Sequence, residues 1–320
     1  MDRTNFSLQT SPIDTKSLSL SQRMGRYFYH HKGIYLILLL APPLLWFFVI
    51  YIGSLISLLV QAFYSFDDFT MTVAPDFTLD NIRALVSASN LDIILRTLGM
   101  AIAVSIFSAL IAFPIAYYMA RYTKGGAKAF FYILVVMPMW ASYIVKAYAW
   151  TLLLAKGGVA QWFLEHLGLG GILQGLLSLP AIGGSTLSTA NLGRFLVFTY
   201  IWLPFMILPI QAAIERVPRS VLEASSDLGA SSRQTLWHVI LPLTIPGIAA
   251  GSIFTFSLTL GDYIVPQLVG PPGYYIGGMV YSLQGTIGNI PMAAAFTLVP
   301  IVLIMLYLAL VKRLGAFHAL

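Results

Sequence analysis

Two ionisable residues lie inside long apolar stretches of the sequence. Lys146 lies in the stretch WASYIVKAYAW and Asp262 in the stretch TLGDYIVPQ. A charge at the centre of a lipid bilayer costs about 2.5 kcal/mol or more, so such residues usually face a cavity or a partner. Two interpretations stay open. Either Lys146 pairs with Asp262 or extends to the membrane surface, or Asp262, Tyr263 and Gln267 line a polar path.

Residues suited to covalent, redox or metal chemistry are scarce in this sequence. It contains no cysteine, which excludes disulfides, thiolate metal sites and thiol nucleophiles. There is no Ser/His/Asp set, no carboxylate pair at one membrane depth and no G-x-x-x-x-G-K-[ST] phosphate loop. We therefore expect no catalytic residue, no metal site and no cofactor in this chain. The histidines, none of which has metal-binding spacing, are His30, His31, His166, His238 and His318.

The composition indicates a membrane protein. Of 320 residues, 58% are hydrophobic and 9% are charged, whereas a soluble domain has about 25% charged residues. So few charges cannot cover a surface exposed to water, and we expect most of the surface to face a lipid bilayer. The net charge of +6 is not gathered in a basic run or helix face, which argues against a nucleic-acid partner.

Six stretches of the chain are long and apolar enough to cross a membrane. About 20 apolar residues span ~30 Å of hydrocarbon, and backbone groups in lipid must be satisfied within a helix. The sequence therefore predicts an all-α integral membrane protein with six transmembrane helices. The first stretch is too long for a signal-peptide core, so we expect it to remain as an anchor. The predicted spans are Ile34–Gln61, Leu95–Ala120, Ala129–Leu154, Phe195–Ile214, Ile248–Val269 and Ala293–Val311.

The spans divide the chain into segments. We expect an N-terminal segment at 1–33, a first span at 34–61, an outer loop at 62–94, a core of five spans at 95–315 and a tail at 316–320. Within the core, the outer segment 155–193 contains a predicted interfacial helix, Val159–Leu167. The segment at 216–246, called the 216–246 loop below, is the sizeable structured piece on the other side.

Basic residues predict the orientation, because cytoplasmic segments are enriched in lysine and arginine. Both termini and the second and fourth loops share one side and hold 13 of the 18 basic residues. We therefore expect both termini in the cytoplasm. The basic residues on that side are Arg3, Lys16, Arg23, Arg26, Lys32, Arg121, Lys124, Lys128, Arg216, Arg219, Arg233, Lys312 and Arg313, and the acids of the first outer loop are Asp67, Asp68, Asp76 and Asp80.

Local signals give the 216–246 loop a helix–bend–helix shape. Pro218 suits the first turn of a helix, and Gly229 suits the left-handed position after its end. Ser231 and Gln234 have the spacing of a capping box for a second short helix, which we expect to stop before Pro242. The bend between the two helices would fall at residues 229–231.

The charges on the first of these helices leave two readings open. Arg219 and Glu223 are four residues apart and can pair, which is worth a few tenths of a kcal/mol, whereas Glu223 and Asp227 repel by a similar amount. The acids can therefore form a solvated face, or Glu223 can meet a cationic partner outside the chain.

The segment EASSDLGAS at 223–231, followed by ILP at 240–242, resembles the EAA loop of the permeases of binding-protein-dependent ABC importers. Ser225 stands where the family has a second alanine, and the residue between Ile240 and Leu241 is missing. The resemblance implies a type I importer fold in which this loop is a coupling helix docked on a separate ATPase dimer, where ATP and Mg²⁺ would bind. The residues implied to couple are Glu223, Ala224, Asp227, Gly229, Ala230 and Ser231.

The segments 254–270 and 275–281 resemble the spermidine/putrescine branch of these permeases. This implies a polyamine or related organic cation as the cargo, which an acid among aromatic rings would attract by charge and cation–π interaction. Opines, amino-acid-like amines and iron stay open as other cargoes of related permeases. The residues predicted to line the path are Asp262, Tyr263, Gln267, Trp140, Tyr143 and Lys146.

The branch also implies partners and a location. We expect a second, different permease chain, an external solute-binding protein and a place in the bacterial inner membrane. Three other classes stay as alternatives: a secondary transporter using Lys146 and Asp262 as its ion site, a channel, and a membrane enzyme. The pattern of the 216–246 loop favours the importer over each of them.

Overall fold

The protein is described by a computed structural model that covers residues 32–180 and 182–313. The predicted N-terminal segment lies outside these ranges except for Lys32 and Gly33, and the predicted tail at 316–320 lies outside them entirely. His30, His31 and His318 are therefore also outside the described residues.

The described part of the chain divides into two compact units, with the division between residues 58 and 59. The first unit contains one apolar helix: α1 (Lys32–Trp46) continues through a π-helical stretch (Phe47–Ile52) into α2 (Gly53–Gln61), which runs on into the second unit. Within Leu36–Gln61, the most apolar stretch of this helix has no buried residue. Such a surface is suited to lipid.

The second unit is built from helices and one small hairpin. Its described elements are β1 (Tyr64–Asp67), β2 (Thr72–Phe77), α3 (Asp80–Leu85), α4 (Ala88–Arg121), α5 (Gly125–Trp140), α6 (Tyr143–Leu153), α7 (Val159–His166), α8 (Gly170–Leu177), a 3₁₀ turn (Leu187–Thr189), α9 (Asn191–Arg216), α10 (Arg219–Asp227), α11 (Ser232–Thr235), a π-helical stretch (Leu236–Ile240), α12 (Leu241–Gly261), α13 (Ile264–Leu268), α14 (Ile276–Ser282), a second π-helical stretch (Leu283–Ile287) and α15 (Ile290–Arg313).

Among the described residues, five helices are long and apolar enough to cross a membrane, and a bent pair makes a sixth span. The bent pair is α5 and α6, which meet at an angle of 95°. The sequence predicts one run at 129–154, but the helix is broken there, because Ala141 adopts an extended conformation and Ser142, with ψ of +133°, is not helical either. The six-span prediction is confirmed, and the third span is a broken one.

The fifth span begins earlier and ends earlier than predicted. The expectation of a helix that stops before Pro242 is wrong, because one helix runs from Ser232 to Gly261. Its π-helical stretch, Leu236–Ile240, widens the hydrogen-bonding turn just ahead of Pro242. A proline lacks the N–H donor and crowds the preceding turn, and a π-bulge relieves both problems. At the other end, Asp262 adopts an extended conformation and breaks the predicted span before Val269.

The core lies where α4, α9 and α12 pack against one another. Small residues permit this close approach, as is usual between membrane helices. A Cβ on Gly247 of α12 would lie 2.5 Å from the Cβ of Ala213 and 2.6 Å from the carbonyl oxygen of Pro209 on α9. The helices α9 and α12 are the two that flank the 216–246 loop, so this contact fixes the base of that loop.

The outer segments contain a hairpin and a short helix. Strands β1 and β2 form an antiparallel hairpin in the predicted outer loop, an element that the sequence did not predict. At its turn the backbone N–H groups of Phe69 and Thr70 donate to Asp67, and these hydrogen bonds lower the pKa of that carboxyl. The short helix predicted at 159–167 is confirmed as α7, Val159–His166.

Candidate functional site

The 216–246 loop has the predicted bend. Helix α10 ends at Asp227, and Gly229 follows with a φ of +79°, the left-handed conformation that glycine adopts without strain. The backbone N–H of Ser231 donates to Oε1 of Gln234 at 2.8 Å, and the N–H of Gln234 donates to Oγ of Ser231 at 3.4 Å. The predicted capping box is therefore confirmed. Unlike the prediction, the second helix does not end but leads directly into the fifth span.

The side chains of the loop divide into an inner and an outer set. Ser225, which replaces the family's second alanine, is buried and shares a hydrogen bond of 2.9 Å with Thr235. It therefore joins α10 to α11 instead of facing outward. Arg219 and Glu223 form no ion pair within the described residues. The outward surface, called the docking face below, consists of Glu223, Ala224, Asp227 and Leu228, and the last is 88% exposed.

Two helix breaks meet near the other end of the spans. The break between α5 and α6 and the break between α12 and α13 are joined by a hydrogen bond from the Tyr143 hydroxyl to Oδ2 of Asp262. Oδ1 of Asp262 accepts from the backbone N–H groups of Ile264 at 2.7 Å and Val265 at 3.2 Å. Helix breaks at matching depth are a common way to build substrate sites in transporters.

A pocket of about 270 Å³ lies at this junction. The Tyr143 ring stacks on Trp202 with 5.7 Å between centroids, and Trp202 was not predicted as a site residue. The indole nitrogen of Trp202 is buried and has no hydrogen-bond partner within the described residues. The pocket is lined by Tyr143, Trp202, Leu258, Gly261, Asp262, Tyr263 and Ile264.

The structure brings together only half of the residues predicted for the path. Asp262, Tyr143 and Tyr263 line the pocket, whereas Trp140, Lys146 and Gln267 do not. Trp140 is 78% exposed at the end of α5. Of the readings left open for Lys146, the pair with Asp262 is not formed among the described residues, because Nζ of Lys146 donates to the carbonyl of Pro138 at 2.9 Å. Carbonyls in the last turn of a helix lack partners, and the lysine satisfies one beside the break.

A buried arginine that sequence reasoning missed binds the segment that follows the pocket-lining residues. Arg194, in the first turn of α9, is 2% exposed. Its Nε donates to the carbonyl of Val269 at 2.8 Å, and its Nη2 donates to those of Pro271 at 2.8 Å and Pro266 at 3.2 Å. Within the described residues no carboxylate pairs with it. Its position at the edge of a predicted span was the one available signal.

The arrangement of these parts defines a class of protein. Broken apolar spans around a pocket, joined by a structured loop with an exposed acidic and apolar face, are the parts of a multi-pass membrane permease. Residues 112–318 match the family described as "Binding-protein-dependent transport system inner membrane component". The chain belongs to this family. It is a multi-pass inner membrane protein and a transport subunit of an ABC importer, not an enzyme.

Two relatives and one solved structure are similar to the chain. The inner membrane ABC transporter permease protein YdcU of Escherichia coli K12 is 72% identical over 298 residues, covering 93% of this chain and 95% of the relative. The spermidine/putrescine permease PotB of the same organism is 30% identical, covering 65% and 71%. A bacterial alginate importer has a TM-score of 0.63 at 19% identity, covering 91% and 99%. The type I importer fold and the resemblance to the spermidine/putrescine branch are confirmed.

Proposed function

We propose that this permease carries a small organic cation, a polyamine such as spermidine or putrescine, through the pocket at Asp262, driven by an ATPase docked on the 216–246 loop. The observation that carries the coupling half of this proposal is the docking face, where Glu223, Asp227 and the nearly fully exposed Leu228 stand on a loop braced by the Ser225–Thr235 contact. An acid beside an exposed apolar side chain is suited to a protein partner.

The proposed partners are those that the resemblance to binding-protein-dependent permeases implies. A separate ATPase dimer holds ATP and Mg²⁺ and binds the docking face. The bend that follows this face is formed by Gly229, Ala230 and Ser231. A second, different permease chain completes the path, and an external binding protein delivers the solute. The loop and both termini then lie in the cytoplasm, in agreement with the basic residues of that side.

The first prediction tests the docking face. Glu223→Ala and Leu228→Ser should each lower ATP-dependent uptake about tenfold and lower stimulated ATP hydrolysis in parallel, because truncation of a buried interface contact costs about 1.4 kcal/mol. Gly229→Val should do the same by forcing a branched side chain into a left-handed conformation. Uptake and hydrolysis are measured in proteoliposomes containing the whole transporter.

The matched control for this prediction is Asp76→Ala, an exposed acid on strand β2, which should leave both rates within twofold. Unchanged rates in all three loop variants would rule out the docking face. Full uptake without any ATPase subunit would instead support a secondary transporter.

The second prediction tests the cargo. Labelled spermidine or putrescine should be taken up in an ATP-dependent manner in the presence of the binding protein, and uptake should fall in the presence of excess unlabelled polyamine. The cation would be held by the Asp262 carboxylate and by the faces of Tyr143 and Trp202. Failure of both polyamines to be transported or to compete would overturn the proposed cargo.

A further inference from the structure

Polar contacts at the start of the 216–246 loop connect it to the end of α4 and to the first turn of α5. Nζ of Lys128, on the first turn of α5, lies 2.9 Å from Oε1 of Glu215, near the end of α9. The same oxygen accepts a hydrogen bond of 2.9 Å from Nε2 of Gln211, which is fully buried. This set, with Arg121, is called the root clamp below.

Arg121 supplies the second connection. Its Nη2 donates to the carbonyl of Ile214 at 3.0 Å and to that of Val217 at 3.2 Å. In a continuing helix the carbonyl of Ile214 would accept from the residue four positions later, but that residue is Pro218, which has no N–H. The carbonyl of Ile214 also accepts from the N–H of Val217 at 3.2 Å, and Arg121, the last residue of α4, adds a second donor at the end of α9, where the 216–246 loop begins.

The ion pair of the root clamp contributes little to the stability of the fold. The side chains of Lys128 and Glu215 are 38% and 32% exposed, and pairs at this exposure contribute about 0–1 kcal/mol. Two buried atoms of the clamp, Oε1 of Gln211 and Nε of Arg121, have no hydrogen-bond partner within the described residues. Buried polar atoms are rarely left unpaired, so a second arrangement of the same groups, in another state of the transporter, would satisfy them.

The clamp also lies at one end of a helix whose other end leads to the pocket. Helix α5 has 16 residues, which gives a length of about 24 Å at 1.5 Å per residue. Lys128 lies near one end of it, and the break that leads to Tyr143 and Asp262 lies at the other. Glu215 is thus linked through Lys128 to a helix whose far end is the break before Tyr143, a residue that lines the pocket.

We infer that the root clamp, Arg121, Lys128, Gln211 and Glu215, positions α5 relative to the 216–246 loop and transmits loop movement to the pocket. This rests on the proposed function, since it assumes that the loop is moved by an ATPase. The residues of the clamp are positioning residues, because none of them lines the pocket.

A charge exchange tests the clamp. Lys128→Glu and Glu215→Lys should each place like charges together and lower the amount of solute transported per ATP hydrolysed about fivefold. The double variant, Lys128→Glu with Glu215→Lys, should restore the ratio to within twofold of wild type, because the pair is re-formed with opposite polarity. A coupling measured in this way is the direct evidence that a transmission route requires.

The controls separate this inference from the proposed function. Lys124→Glu changes an exposed lysine of the same segment and should leave the ratio unchanged. Co-purification of the ATPase should survive in every clamp variant but fail for Leu228→Ser. Should a reversal fail to fold, the milder Lys128→Gln should still lower the ratio and Lys128→Arg should preserve it. The inference would be overturned if the double variant transported no more solute per ATP than the single variants. It would also be overturned if the single variants kept the wild-type ratio while Leu228→Ser was impaired.

Discussion

Arg194→Leu is expected to lower the thermal unfolding midpoint of the detergent-solubilised permease by about 10 °C and to abolish uptake. The leucine fills most of the space but leaves the carbonyls of Val269, Pro266 and Pro271 without their donor. Each buried acceptor left unpaired costs about 1–3 kcal/mol, so the total is on the order of 4 kcal/mol. For a chain of 150–250 residues, 1 kcal/mol corresponds to about 2–4 °C, and we take the same scale for this permease.

The effect on uptake has a separate cause. The three carbonyls belong to the segment that follows Asp262, so the arginine fixes the chain that continues from the pocket-lining residues Asp262, Tyr263 and Ile264. Its guanidinium also lies 4.4 Å from the centroid of the Tyr275 ring. Arg194→Lys keeps the charge but cannot present several donors in one plane, and it should have an intermediate midpoint.

A second substitution tests the same contact from its other side. A Cβ on Gly270 would lie 2.6 Å from Cζ of Arg194, and the φ of this residue is +99°. Gly270→Ala should therefore resemble Arg194→Leu. The matched control is Arg96→Leu, whose half-exposed side chain pairs with Asp92; exposed pairs contribute about 0–1 kcal/mol. Equal midpoints for Arg194→Leu and Arg96→Leu would contradict a supporting role for the buried arginine.

The features that the sequence predicted are those with local causes. Hydropathy located every span, because a bilayer demands about 20 apolar residues whatever the neighbouring helices do. The bend of the 216–246 loop was equally accessible, since Gly229 and the Ser231–Gln234 box act through the backbone of a few adjacent residues. Both signals depend on chain-local geometry alone.

The features that escaped prediction depend on tertiary contacts. Hydropathy does not reveal the break at Ala141–Ser142, because the sequence stays apolar on both sides of it. Pro242 predicts a helix stop, but a π-helical turn accommodates it. Pairs such as Tyr143 with Asp262 join residues far apart in the chain. No spacing rule could distinguish a Tyr143–Asp262 contact from a Lys146–Asp262 pair, because Tyr143 and Lys146 lie in the same broken span.

Asp262→Asn is expected to lower cation uptake about tenfold at limiting solute while leaving the unfolding midpoint nearly unchanged. The amide oxygen of asparagine can still accept from the N–H groups of Ile264 and Val265, and its NH₂ group can donate to the Tyr143 hydroxyl. The shape of the break is kept and the negative charge is lost. A tenfold loss corresponds to about 1.4 kcal/mol of cation attraction.

Asp262→Ala separates the charge from the hydrogen bonds. It removes the acceptor for two backbone N–H groups at the start of α13, which costs about 1 kcal/mol or more as for other lost helix caps, so it should lower both uptake and the midpoint. Tyr143→Phe keeps the ring that stacks on Trp202 and removes one donor to the carboxylate. Its uptake should fall less than that of Asp262→Asn.

The comparison of the two Asp262 variants decides what the acid does. If the carboxylate attracts the solute, Asn and Ala reduce uptake alike, and only Ala destabilises the fold. If Asp262 serves only to end α12 and begin α13, Asn transports at the wild-type rate and Ala alone is impaired. In that second case the selection of cations belongs to the solute-binding protein, and the pocket discriminates by the aromatic faces of Tyr143 and Trp202 and by its volume.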